Sequence, residues 1–366
     1  MVLSGSSRHV IGSDSNHGTY RGTMRRFSWT LRSIGSRTRR VLLVLYLLAA
    51  SSLLAGVAEP STQEKLNIGY SATGVASAPL WVTQDSGAFR KYGFDVRPIF
   101  LAGGLAPVAI IAGEIQFAIM SAGVQIPPVL RGADLAMIAA FNNYISHALV
   151  VAPDISEPRD LKGKRIAIQR LGDLTHIAAR EAVKHLGVSE ADLLYQQIGG
   201  GSTRFAVLQS LNVQGAILSP PYIGRAQKMG YRVLVNLYDL KIPFIGQAVV
   251  TTRRFIASHR PMVLNFLKAV SEGIHFYKRE RVASVRMIER RFGLPHEEVA
   301  EAIEHYIRDL DDRPYPRPEG LKIALELVAQ QVPAARGADP ERFLDASLLR
   351  ELEREGFFAT LQSAGK

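Results

Sequence analysis

The stretch from Leu66 to Gly132 reads LNIGYSATGVASAPLWVTQDSGAFRKYGFDVRPIFLAGGLAPVAIIAGEIQFAIMSAGVQIPPVLRG. Its apolar runs end in small residues, at points where a strand would give way to a helix. One such run, Phe94 to Leu101, carries the apolar side chains of a strand. This alternation of strand and helix predicts an α/β domain whose strand ends line a cleft.

The same alternation continues beyond this stretch and predicts two lobes. A polar passage at Ser156–Lys164 precedes a further strand, and the chain crosses back near Ile242–Val250. The prediction is therefore a discontinuous arrangement, with residues 65–152 and 245–366 in lobe 1 and residues 153–244 in lobe 2. Four C-terminal segments with helical spacing would complete lobe 1. They are 261–278, 295–309, 319–331 and 340–355.

Composition limits the chemistry that this chain can perform. The 366 residues include no cysteine, which excludes disulfides, thiol nucleophiles and cysteine-bound metals. The net charge is +11, but residues 1–58 hold eight arginines and one acid, which is +7 and leaves +4 for the remainder. The surplus charge lies outside the predicted lobes, so no nucleic-acid partner is expected.

Residues 1–58 are predicted to be an export leader. Arg39 and Arg40 precede the apolar run Val41–Leu54, and Gly56 and Ala58 offer a cleavage site before Glu59. Met24 is a candidate start codon, and an uncleaved membrane anchor is the alternative. The pattern favours general secretion over a twin-arginine signal and predicts a periplasmic protein.

Several motifs in this order resemble the solute-binding proteins of ABC importers, in the superfamily of nitrate-, sulfonate- and taurine-binding proteins (SsuA/THI5-like, NMT1-like). They are IGY (68–70), APLWV (78–82), GAFRKYGFDV (87–96), AGEIQFAI (112–119), DLKGKRIAI (160–168) and GAILSPPYIGRAQKMGYRVL (215–234). Two glutamines, Gln116 and Gln214, stand where the family commonly has aspartate. Such aspartates usually lie on the strand that enters the cleft, so the substitutions weaken any inference about the ligand.

The resemblance implies a type II periplasmic-binding-protein fold, a Venus flytrap that closes two lobes around a small organic solute. It further implies delivery to an inner-membrane ABC permease by a monomer. Two alternatives stay open: a ligand sensor for a membrane signalling partner, and an enzyme of the thiamine-pyrimidine-precursor type. The lack of cysteine and the export leader disfavour the enzyme.

Ligand contacts are expected from loops at the carboxyl ends of strands, where helix N-termini present free N–H groups. Each of these loops can serve instead as a plain turn or helix cap. Arg170 is the sharpest candidate, because a guanidinium suits a carboxylate or sulfonate; the alternative is a solvated arginine, or one paired with Asp173. The candidate residues in lobe 1 are Tyr70, Ser71, Ala72, Gly103, Gly104, Ser121 and Ala122. Those in lobe 2 are Arg170, Gly172, Asp173, Gly200, Gly201, Ser202, Ser219, Pro220 and Tyr222.

No catalytic or cofactor motif emerges from the sequence. The histidines form no metal-binding pattern, and the run Gly199–Gly201 lacks the Gly-Lys-Ser/Thr of a nucleotide-binding loop. We therefore expect no metal, no cofactor and no catalysis. An anionic organic solute is favoured, because Arg170, the helix N-termini and a slightly basic mature chain all attract negative charge.

Overall fold

The computed structural model describes residues 63–72, 74–101, 104–308 and 310–363, which form two five-stranded sheets flanked by helices. The predicted leader lies outside these residues. The strands are β1 (Glu64–Tyr70), β2 (Phe94–Phe100), β3 (Phe117–Met120), β4 (Leu135–Tyr144), β5 (Ala148–Val151), β6 (Arg165–Ile168), β7 (Leu194–Gln197), β8 (Gly215–Leu218), β9 (Arg232–Asn236) and β10 (Pro243–Thr252).

Helices connect the strands and cover both sheets, which confirms the predicted α/β class. The α-helices of the described residues are α1 (Ala78–Asp85), α2 (Ala88–Lys91), α3 (Leu105–Ile111), α4 (Ala122–Leu130), α5 (Leu174–His185), α6 (Gly201–Gln209), α7 (Tyr222–Lys228), α8 (Arg253–Ser258), α9 (Arg260–Arg279), α10 (Arg281–Phe292), α11 (His296–Ile307), α12 (Lys322–Val328), α13 (Ser347–Arg354) and α14 (Phe357–Ser363). Short 3₁₀ turns at Gly74–Ser77 and Pro340–Phe343 join some of them.

The two sheets share one plan. The first has the order β2-β1-β3-β10-β4 and the second the order β7-β6-β8-β5-β9. In each, three parallel strands are followed by one antiparallel strand, β10 or β5, placed before the last strand. The inner strands β3, β5 and β8 are buried along their whole length, as expected where helices cover both faces.

The chain crosses from the first lobe to the second before β5, which is earlier than the sequence suggested. Strand β5 pairs with β8 and β9 of the second sheet, although residues up to 152 were expected in lobe 1. The apolar run at 148–152 gives no sign of which sheet it joins, because strand partners are distant in sequence. We therefore name the lobes by their sheets: the first lobe holds β1–β4, β10 and the helices after it, and the second lobe holds β5–β9.

An aromatic cluster fixes the C-terminal helices to the first lobe. The long helix α9 packs against α1, and its Phe266 ring stacks on Phe117 with centroids 3.8 Å apart. Phe89 also stacks on the Phe266 ring, with centroids 5.7 Å apart. Burying each such side chain contributes roughly 1.5–3 kcal/mol, so residues after β10 are integral to this lobe.

The predicted helix at 340–355 is wrong in its first half. Leu344 and Asp345 run beside β4, where Leu344 forms a parallel bridge with Met137 and the Asp345 N–H donates to the Met137 carbonyl. This pairing separates the 3₁₀ turn from α13. The sequence pattern also missed α10, which is followed by Gly293 in the left-handed conformation typical of helix C-termini.

Candidate functional site

A cavity of about 110 Å³ lies between the two sheets, at the carboxyl ends of β1, β3, β6 and β8. Open α/β sheets bind ligands at this edge, because loops and helix N-termini face the crevice there. Nine of the candidate residues line the cavity. They are Ser71, Ala72, Ser121, Arg170, Asp173, Gly201, Ser219, Pro220 and Tyr222.

Six other candidates are described but do not line this cavity. The ring of Tyr70 packs instead against Trp81 and Phe100, with centroids 5.0 and 5.5 Å away. Gly104 and Gly172 line a separate groove. Ala122 is buried at the start of α4, Gly200 and Ser202 lie at the start of α6, and Gly103 lies outside the described residues.

The cavity also contains polar residues that the sequence did not single out as individual ligand contacts, although Gln169, Thr175 and Arg204 belong to the candidate segments 169–175 and 199–204. They are His147, Gln169, Thr175, Arg204 and Gln247. Arg204 lies within α6, where helical spacing does not reveal which side faces a cleft. Gln247 comes from β10, which returns to the first sheet from the second, and no local pattern predicts that return.

Arg204 is the most deeply buried cation of the site, with 3% of its surface exposed. Its Nε donates to the Ile217 carbonyl at 2.8 Å and its Nη1 to the Gly199 carbonyl. No described carboxylate lies within ion-pair distance, and Nη2 donates to no described protein group. Burial lowers the pKa of Arg204 to about 10, so the guanidinium stays charged at neutral pH.

Asp173 caps helix α5 from the wall of the cavity. Its Oδ1 accepts three hydrogen bonds, from the Thr175 N–H at 2.9 Å, the Thr175 hydroxyl at 2.7 Å and the His176 N–H at 3.2 Å. Burial raises the pKa of this carboxyl, while the hydrogen bonds and the nearby Arg204 oppose the rise. Asp173 is therefore the N-cap residue of α5.

Arg170 lies half-buried at the mouth of the cavity, after β6. It also lines the neighbouring groove beside Gly104 and Gly172. It forms no ion pair with Asp173 or with any other described acid. The pairing considered as an alternative for this residue is therefore not observed.

His147 lies where the chain crosses from the first sheet to the second. Burial, with the nearby Arg204 and His305, lowers the pKa of His147 to about 3. The ring is therefore neutral at physiological pH. Consequently Arg170 and Arg204 supply the positive charge of the cavity wall.

Gln116 and Gln214 do not line the cavity. Gln116 precedes β3 and accepts a hydrogen bond from the Asn67 N–H at 2.9 Å; Gln214 precedes β8 and accepts one from the Arg165 N–H at 3.3 Å. Both partners are 49 residues upstream in the chain. Each glutamine therefore links two neighbouring strands near their amino-terminal ends, whereas the cavity lies at the carboxyl ends of these strands.

The lobes touch on both sides of the cavity. On one side Gly123 of α4 approaches the second lobe so closely that a Cβ there would lie 2.8 Å from the Gly172 carbonyl oxygen. On the other side Arg225 of α7 forms an ion pair with Glu298 of α11 at 2.5 Å. The two lobes therefore contact each other at two places near the cavity.

Comparison with known families identifies the chain. A family model described as "NMT1/THI5 like" matches residues 75–280, more than half of the sequence. The chain belongs to the NMT1/THI5-like family. This NMT1/THI5-like protein is 25% identical over 272 residues to the "Putative aliphatic sulfonates-binding protein" of Escherichia coli (strain K12), a match that covers 70% of this chain and 82% of the relative.

Solved structures similar to this NMT1/THI5-like protein establish its fold. The alkanesulfonate-binding protein SsuA from Xanthomonas axonopodis pv. citri, bound to MOPS, matches with a TM-score of 0.60 at 21% identity, over 80% of this chain and 99% of that one. The ligand binding component of an ABC-type import system from Staphylococcus aureus matches with a TM-score of 0.66 at 16% identity, over 79% and 99%. The fold is that of periplasmic binding proteins.

Proposed function

We propose that this protein is the periplasmic solute-binding component of an ABC importer, and that it closes its two lobes around a small organic anion. The buried guanidinium of Arg204 carries this proposal. A charge removed from water needs a partner of opposite sign, and none of the described side chains supplies one within ion-pair distance. An anion in the cavity would supply that partner.

The relatives support the same type of function. The similar E. coli protein is named for binding aliphatic sulfonates, and the similar S. aureus structure is named as part of an import system. Sulfonates and carboxylates accept several hydrogen bonds in a planar or tetrahedral arrangement, which suits the fork of an arginine. We take delivery to a membrane permease, by a monomer, to be the second half of this function.

One feature supports a periplasmic location. The sequence before Glu59 has the charge and apolar pattern of an export signal. In the part of the chain that the structure describes, no helix has both the length and the apolar character needed to cross a membrane. We propose that the mature protein begins near Glu59 and acts as a binding protein without catalysis.

Closure of the lobes would trap the solute. A ligand that contacts both lobes stabilises the closed form by its greater affinity for that form. The contacts of Gly123 with Gly172 and of Arg225 with Glu298 show that the lobes meet around the cavity. They would be made and broken as solute enters and leaves.

Calorimetric titration of the chain from Glu59 onward tests this proposal. Alkanesulfonates, carboxylates and nitrate would be compared with neutral alcohols of equal size. We expect an organic anion to bind and the neutral analogues not to bind. Arg204→Met should weaken binding of the anion by about a hundredfold, because charge-assisted hydrogen bonds contribute roughly 1.5–3 kcal/mol each.

Arg165→Met is the matched control for this titration. Arg165 also belongs to the second lobe and also donates to a backbone carbonyl, that of Asn212 at 2.8 Å, but it lies outside the cavity. We expect wild-type affinity for this variant. Equal binding by Arg204→Met and Arg165→Met would contradict the proposed function.

A further inference from the structure

We propose that the solute carries a hydrogen-bond donor, an ammonium or a hydroxyl, in addition to its anionic group, and that Asp173 binds this donor. The inference rests on the proposed function and narrows its substrate class. It begins from a carboxylate that is 6% exposed and lies on the cavity wall.

One oxygen of Asp173 is enough to cap helix α5. All three hydrogen bonds of the carboxylate go to Oδ1, and Oδ2 accepts none from the described residues. Serine or asparagine at this position would cap the helix comparably well. The second oxygen therefore has no structural role among the contacts present. It keeps some accessible surface, so a donor in the cavity can reach it.

A second aspartate in the chain shows what this motif does away from the cavity. The Oδ1 of Asp345 likewise accepts from the N–H and the hydroxyl of the residue two positions on, Ser347, at 3.0 and 2.6 Å. There, however, Oδ2 is paired with Arg253 at 3.6 Å. Of these two equivalent motifs, the one on the cavity wall is the one whose second oxygen has no partner.

Asp173 and Arg204 influence each other electrostatically, yet they form no ion pair. The cavity wall therefore presents a separate cation and a separate acceptor. A solute with an anion at one end and an N–H or O–H donor at the other would complement both. A plain anion would complement Arg204 and leave the carboxylate without a donor, with two negative groups in one small cavity.

Matched ligand series test the inference by calorimetry. One series would contain ethanesulfonate, 2-hydroxyethanesulfonate and 2-aminoethanesulfonate; the other would contain propanoate, 3-hydroxypropanoate and 3-aminopropanoate. We expect the wild-type protein to bind at least one donor-bearing member about tenfold or more tightly than the plain anion of its series. This ratio, rather than any single affinity, is the quantity to compare between variants.

Asp173→Asn keeps Oδ1 and the cap but replaces Oδ2 by a donor. We expect it to reduce the preference for the donor-bearing anion to below about threefold, and to bind the plain anion more tightly than wild type because a negative charge is gone. Asp345→Asn, the matched variant outside the cavity, should keep the wild-type ratio. Asp173→Ser, which also retains a capping oxygen, provides a second variant if the first folds poorly.

The outcomes are distinguishable. Equal binding of plain and donor-bearing anions by wild type would overturn this inference and leave the proposed function standing. Parallel loss of affinity for both ligand types in Asp173→Asn would also overturn it, because a cap alone would act on both. If no anion of either series binds, the proposed function fails and this inference fails with it.

Discussion

The two lobes share one strand plan but contribute different chemistry to the cavity. The first lobe presents neutral residues there, among them Ser71, Ser121 and Gln247, whereas the described charges all come from the second lobe. Those charges are Arg170, Asp173 and Arg204. The comparison teaches that one backbone arrangement can separate two tasks: the second lobe would bind charge, and the first would close over it.

Among changes that leave the charges of the second lobe intact, blocking contact between the lobes should weaken anion binding most. Gly123→Ala would place a methyl group 2.8 Å from the Gly172 carbonyl, and backbone atoms cannot move aside cheaply. We expect the affinity for the bound anion to fall by about tenfold. Because alanine is favoured over glycine in helices by roughly 1 kcal/mol, thermal stability without ligand should not fall. Calorimetry and small-angle scattering would measure affinity and compaction.

Gly224→Ala is the contrasting variant for lobe closure. Its added methyl group would meet the carboxylate of Glu301 at 2.6 Å, which is the end of a side chain that can rotate away. We expect a smaller loss than for Gly123→Ala. If both variants bind and compact like wild type, contact between the lobes does not stabilise the bound state.

The next effect concerns the second cation of the charged lobe. Arg170 is half-buried, so water screens it more than Arg204. We expect Arg170→Met to weaken anion binding by about fivefold to tenfold, less than Arg204→Met, and to reduce the dependence of affinity on salt. Titrations at two ionic strengths would measure this. An Arg170 effect larger than that of Arg204 would show that the anion sits at the mouth of the cavity.

The free energy of unfolding should depend on pH because of His147, which lies in the segment between the lobes. Because burial lowers the pKa of His147 to about 3, the folded state favours the neutral ring over the ordinary value of 6.5. This stabilisation is complete above pH 6.5 and is lost as the pH falls from 6.5 toward 3. For one such group the loss is about 2 kcal/mol at pH 5. Chemical denaturation at pH 8 and pH 5 would measure it.

His147→Gln should reduce this pH dependence without removing it. His305, whose pKa is lowered to about 4 by burial, contributes a slope of the same sign. His185→Gln, at the exposed end of α5, controls for the loss of a histidine. If the pH dependence of the free energy of unfolding is unchanged in His147→Gln, then folding does not lower the pKa of His147.

The smallest effect should come from the two glutamines that depart from the family pattern. Each joins two strands at the edge of its sheet away from the cleft. The double variant Gln116→Asp, Gln214→Asp should therefore change anion affinity by less than about twofold. Calorimetric titration with the anion found for wild type would check this. A larger change would mean that these two positions influence the site despite lying outside the cavity.

The sequence predicted local features of this fold better than long-range ones. The loops after β1, β3, β6 and β8 were found because small and polar residues directly follow apolar runs, and Ser71, Ser121 and Ser219 do line the cavity. The sheet that receives β5 depends on partners more than sixty residues away, and no local pattern records it. Register and pairing across such distances are set by tertiary packing.

The candidate site shows the same limit. Arg170 was selected because it follows a strand, whereas Arg204, the last residue of the candidate segment 199–204, was not singled out as a ligand contact. Its burial depends on β8, whose Ile217 carbonyl accepts its Nε–H. A charged side chain that a fold buries is recognised only when the surrounding elements are known.

A crystal structure of the mature chain with its tightest organic anion tests the central claim most directly. The account predicts that the anionic group lies within hydrogen-bond distance of Arg204 Nη2, on the second lobe, and that neutral groups of the first lobe cover the solute from the other side. An anionic group held by backbone N–H groups of the first lobe, with Arg204 Nη2 still lacking a partner, would contradict it.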